Sequence, residues 1–179
     1  DRGVRVVFFT GNHDMWVGAY LARAVKDGSD MEAREHVAFA NTLSGVVMTI
    51  SSCTSEHSME HAMSAYHHDL PHGAGLIMIS KAYFTYFIEN HACDERFIRM
   101  AQALGKTDAK EPMDFIAALV ELQEQCGVAD LKMSDYGIKP DEFMTLAQNA
   151  RATMGGLFFC DRVLLSDEEC AAIFEKAYR

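Results

Sequence analysis

Beyond Asp14 the apolar residues of this 179-residue chain recur at helical spacing, with only three prolines to interrupt them, and that pattern leaves few folds open. Asp14 can cap a segment Met15–Val25. Ser29 with Glu32 makes a capping box that opens a long apolar helix from Asp30 to about Ser51, where Gly45 is the weak spot. Helical spacing resumes from Glu56 to Tyr66 and breaks at HHDLPHG, because Pro71 disfavours helix at Leu70 and Gly73 is permissive. Further helices are expected over Gly75–Asn90, Asp94–Leu104, Pro112–Gln125, Asp141–Met154 and Ser166–Tyr178, the last under a second capping box of Ser166 and Glu169. Against these stands one strand candidate, GVRVVFF over Gly3–Phe9, followed by a turn at Thr10-Gly11-Asn12. About seven helices and one strand predict an all-α helical bundle with a short N-terminal strand. The composition changes near Gly18, which is expected to divide a strand-and-loop appendage over residues 1–18, the sign of a fusion or an engineered chimera, from a helical domain over residues 19–179.

Charge narrows the partners. Twenty-six acidic residues against 16 basic ones give a net charge of -10, which repels nucleic-acid phosphates and anionic membrane surfaces, so neither is an expected partner. The five cysteines, Cys53, Cys93, Cys126, Cys160 and Cys170, are widely spaced and form no CxxC pair. They suggest neither a disulfide scaffold nor a thiolate zinc site, and fit a reducing cytoplasm. The chain starts Asp1-Arg2-Gly3 with no signal-peptide pattern, and no apolar run reaches the ~20 residues of a membrane span; a soluble, trimmed protein is expected.

Five of the eight histidines fall in SEHSMEHAMSAYHHDLPHGAG, residues 55–75. His57 and His61 lie one helical turn apart on one face, and a Pro-His-Gly turn can bring His72 back to the same point. Three imidazoles suit Zn²⁺ or Fe²⁺. An i,i+4 histidine pair on a polar helix is often plain solvated surface, but Met59, Ala62, Met63 and Ala65 make this helix apolar on its other faces, where unpaired imidazoles need a reason. His67 and His68 beside Asp69, and His36 and His91, read as surface or core-edge residues.

From about Tyr20 to Arg179 the sequence resembles the C-terminal helical domain of the iron-containing (group III) alcohol dehydrogenases. The resemblance rests on YLARAVKDGSDMEARE, EHSMEHAMSAYHHDLPHGAGL, DERFIRMAQALG and the helix after Leu165-Ser166. It implies a divalent metal, usually Fe²⁺ and sometimes Zn²⁺, held by an Asp and three His between a nucleotide-binding domain and this helical domain. His57 and His72 match the last two metal ligands. His61 matches a histidine near substrate and nicotinamide that is implicated in proton relay. The interval from His61 to His72 is one residue longer than the family spacing, so Tyr66–Leu70 is expected to bulge. The D-x₃-H motif with the other two ligands, and the Gly-rich domain for NAD(P), are expected to precede Asp1.

A second resemblance lies in VRVVFFTGNHDMW, which looks like the GNHD block of metallophosphoesterases, with Asn12 matching a metal ligand and His13 a phosphate contact. The favoured expectation is the metal-binding domain of an NAD(P)-dependent enzyme that interconverts a small alcohol and its aldehyde, inactive as this isolated chain. The alternatives are a non-catalytic helical metal-binding or assembly module, and a metallophosphoesterase-derived fusion. The apolar strand Val4–Phe9 needs cover, which pairing with its copy across a homodimer would supply.

Overall fold

A computed structural model describes residues 17–179 and is all-helical over them. The strand expected at residues 4–9, its dimer pairing, and Asn12 and His13 lie outside the described residues. Eight α-helices follow in order: α1 Val17–Lys26, α2 Met31–Ile50, α3 Ser55–Tyr66, α4 His72–Glu89, α5 Asp94–Ala103, α6 Asp114–Gln125, α7 Phe143–Met154 and α8 Asp167–Ala177. Short 3₁₀ turns at Met133–Tyr136, Pro140–Glu142 and Gly155–Cys160 join the later helices. No single helix among the described residues is long and apolar enough to cross a membrane.

The helices sort into two compact units. The first comprises Ser52–Ala92 and Asp130–Arg179, hence α3, α4, α7 and α8. In it α3 packs on α4 and α7, and α8 packs on α4 and α7. Met59, Ala62 and Met63 of α3, Ile79 and Tyr83 of α4, Leu146 and Ala150 of α7, and Ile173 and Phe174 of α8 form its core. Arg151 binds α7 to the start of α8: its Nε donates to Asp167 at 2.5 Å, a second nitrogen donates to the Leu165 carbonyl at 2.5 Å, and the guanidinium lies over the Phe158 ring. The capping box expected of Ser166 and Glu169 is present.

The second unit contains α1, α2, α5 and α6. Arg23 in the last turn of α1 pairs with Asp30 and Glu32 at the start of α2, and Tyr20 stacks on His36 with ring centroids 3.9 Å apart. The N-cap of α2 differs from expectation. Asp30 accepts from the Ala33 N–H at 3.0 Å, whereas the Ser29 hydroxyl is taken by Asp27 at 2.6 Å. Phe97 and Phe115, with ring centroids 5.6 Å apart, join α5 to α6. Gly105 ends α5 at φ +106°, a conformation open to glycine and strained for other residues. Along α2 only Ala33 and Ser44 are buried, and Phe39, Val46 and Ile50 stay exposed despite the apolar sequence.

Candidate metal centre

The site is built by α3 and the first turn of α4, both in the first unit. α3 runs through SEHSMEHAMSAY and buries Met59, Ala62 and Met63, which turns the His57 and His61 edge outward; Ala65 is exposed rather than part of the apolar face. The chain then turns through residues 67–71, with the Leu70 N–H bonded to the His67 carbonyl at 3.0 Å and the Leu70 side chain buried. α4 begins at His72 with Pro71 as its N-cap, three residues earlier than the spacing predicts. Proline is suited to a helix start because its missing N–H is not needed there. His72 is therefore fixed by helix geometry and does not hang on a return loop.

His57, His61 and His72 converge. One ligand atom of each lies within 4.8 Å of the others, and among the described residues this is the group of metal-ligating side chains that comes together. Two imidazole nitrogens at ~2.1 Å from a shared tetrahedral ion stand about 3.4 Å apart, so small side-chain rotations bring these donors onto one ion. The His57 and His72 rings are 5.3 Å apart and tilted by 41°, and His61 meets the edge of His72 at 5.1 Å. His57 and His72 are half-buried and His61 is exposed, which leaves the centre open on one side. The remaining cluster members stay apart from it. His67 places Nε2 3.3 Å from Glu142, and His68 is exposed, as are His36 and His91.

Acidic residues that the histidine pattern did not bring forward support this centre. Glu60 is fully buried beneath it, one oxygen meeting His72 Nδ1 and the other accepting from the Ser64 hydroxyl. At the start of α3, Asp161 Oδ1 accepts from the Ser55 N–H and the Tyr83 hydroxyl, each at 3.0 Å. Burial pushes the Glu56 carboxyl up to about 7, with the charge of Asp161 adding to the rise and a hydrogen bond with Ser80 opposing it. Burial likewise raises Asp161, against its hydrogen bonds from Ser55 and Tyr83, and raises the Tyr83 phenol well above its ordinary value. The sequence signal for these groups is faint: each is an acid or phenol inside an otherwise apolar helical stretch or turn.

Comparison with known proteins assigns the chain. Residues 15–178 match the Fe-containing alcohol dehydrogenase family, C-terminal. The chain is 29% identical over 166 residues to the 1,3-propanediol dehydrogenase of Klebsiella pneumoniae, covering 88% of this chain and 41% of that enzyme. It is 26% identical over 148 residues to the NAD-dependent methanol dehydrogenase of Bacillus methanolicus, covering 75% and 35% respectively. An archaeal halo-thermophilic Red Sea brine pool alcohol dehydrogenase superposes with a TM-score of 0.85 at 32% identity, over 92% of this chain and 42% of that one. The chain thus spans about two fifths of the length of such relatives. The metallophosphoesterase likeness of residues 4–16 gains no support from these comparisons, nor does Zn²⁺ as the metal. With its helical fold, its match over nearly the whole length and its converging histidines, the chain belongs to the Fe-containing alcohol dehydrogenase family, whose C-terminal region it represents.

Proposed function

We propose that this chain is the metal-binding part of an alcohol dehydrogenase that interconverts a small alcohol and its aldehyde with NAD(P). The observation that carries the reading is the convergence of His57, His61 and His72 from two helices of one unit. Imidazole donors suit Fe²⁺, and His57 and His72, both half-buried, are the residues that would hold it. Bound there, Fe²⁺ would supply the Lewis acidity that polarises the alcohol oxygen so that hydride can leave its carbon for NAD(P)⁺. His61, exposed and edge-on to His72, would pass the alcohol proton to solvent. No strand occurs among the described residues, so the dinucleotide would be held by a part of the enzyme outside them.

The test separates metal from turnover. The chain should bind Co²⁺, a coloured stand-in for Fe²⁺, and His57→Ala and His72→Ala should each abolish the visible absorption bands. His61→Ala should keep the bands. The chain alone should oxidise no alcohol with NAD⁺, because no dinucleotide-binding fold occurs among the described residues to position the nicotinamide, and should gain activity when a nucleotide-binding domain of the family is supplied. Co²⁺ binding that ignores both His57 and His72 would refute the reading.

A further inference from the structure

Glu60 is the charged side chain most completely withdrawn from water beside the centre: it is 0% exposed, while its partner His72 retains 25%. A buried carboxylate is costly unless both oxygens are engaged, and here both are, one by His72 Nδ1 and the other by the Ser64 hydroxyl. The opposite helix is shaped to admit it. A Cβ on Gly75, one turn beyond His72 in α4, would stand 2.7 Å from Glu60 Cγ and 2.8 Å from Oε1, so any larger residue would push the carboxylate out of place. The start of α4 therefore presents two things to Glu60: an imidazole to hold, and bare backbone that leaves space for the acid holding it.

We propose that Glu60 is a positioning residue that locks His72 as the Nδ1–H tautomer, so that the Nε2 lone pair is directed to the point shared with His57 and His61. Resting on the metal-site reading above, this inference adds a residue that supplies no ligand of its own. The chemistry follows from proton inventory. A neutral imidazole carries one N–H, and with one Glu60 oxygen accepting from the Ser64 hydroxyl and the other set against Nδ1, the N–H is placed on Nδ1 as the donor to that acid. Nε2 is then left as the donor to a metal. The carboxylate also fixes the ring plane, the usual effect of an acid behind a ligating histidine.

The tautomer can be read without any metal. In the metal-free full chain, long-range ¹H–¹⁵N spectra should show His72 protonated at Nδ1 and bare at Nε2. Glu60→Ala should shift the proton towards Nε2, and Glu60→Gln, whose amide oxygen can still accept, should retain it on Nδ1. Co²⁺ affinity, measured by competition with a chelator, should fall about 10- to 100-fold in Glu60→Ala and less in Glu60→Gln. Gly75→Ala keeps the acid but displaces it, and should reproduce the Glu60→Ala pattern, which carries the test should Glu60→Ala fail to fold. Wild-type His72 protonated at Nε2 overturns the proposal. So does Co²⁺ affinity that depends on His57 and His72 yet is unchanged in Glu60→Ala and Gly75→Ala. If affinity ignores His57 and His72 as well, the metal-site reading falls and takes the proposal with it.

Discussion

Cys170 lies wholly inside α8, and burial pushes its thiol up to about 12, the charge of Arg151 opposing the rise and those of Asp167, Asp161 and Glu169 adding to it. Cys160, ten positions earlier, is exposed. Reaction with alkylating agents needs an accessible thiolate. Brief treatment of the native chain with iodoacetamide should therefore modify Cys160 and leave Cys170 untouched until denaturant is added, as peptide mass mapping would show. Equal labelling of both in the native state would contradict the packing of α8. At Tyr83 the prediction concerns stability: Tyr83→Phe removes a hydroxyl that donates to half-buried Asp161 and lies 3.2 Å from the buried Ser55 Oγ, and should cost about 1–3 kcal/mol in urea unfolding at pH 7. Residues of this scale were unevenly legible. His57, His61 and His72 stand out because an i,i+4 pair and a Pro-His-Gly turn are visible without coordinates. Glu60 does not, since its partner lies twelve positions away and the space it needs is set by a glycine on the next helix.

Element ends show the same division between local and distant causes. Ser166 and Glu169 satisfy each other within one turn, so the start of α8 could be read directly. Ser29 and Asp30 are adjacent and both able to cap, and the choice of Asp30 depends on Arg23 of α1 and on Asp27 capturing Ser29. The same start of α8 gives a pH prediction. The Tyr86 hydroxyl from α4 and the Ser166 N–H both donate to Glu169, and hold its carboxyl below the ordinary value of 4.5. A depressed acid stabilises the fold above its unfolded pKa, and the contribution disappears as pH falls through the folded value. Glu169→Gln should thus be less stable than wild type at pH 7, by about 0.5–2 kcal/mol, the usual worth of a cap. The difference should shrink as pH drops below about 4.5 and vanish once wild-type Glu169 is itself protonated. Urea unfolding of both proteins at pH 7 and near pH 3.5 measures this, and a gap that stays constant would sink the assignment.

At the scale of the whole molecule the helical class was legible and the division into units was not. Periodicity and capping report what each segment does by itself, whereas the units are defined by which helices pack together. Neighbours in sequence part company: α4 belongs with α3, α7 and α8, and α5 with α1, α2 and α6. The chain passes between the units after Ser51, Ala92 and Ala129. This partition bears on how metal binding should spread. All three candidate donors lie on α3 and α4, so free energy gained from an ion enters through the first unit. A ligand at a hundredfold excess over its Kd stabilises the state that binds it by about 2.7 kcal/mol, and an amide gains protection only if its opening also releases that ligand. Saturating Co²⁺ should then slow hydrogen exchange strongly across Met59–Tyr66 and His72–Tyr83, and also in Leu146–Ala150 and Ile173–Phe174, whose core they share. Amides of α5 and α6, around Phe97 and Phe115, should exchange at their metal-free rates, and a chelator should reverse every change. Uniform slowing in both units would show that the helices open as a single cooperative body, and that the packing partition has no energetic counterpart.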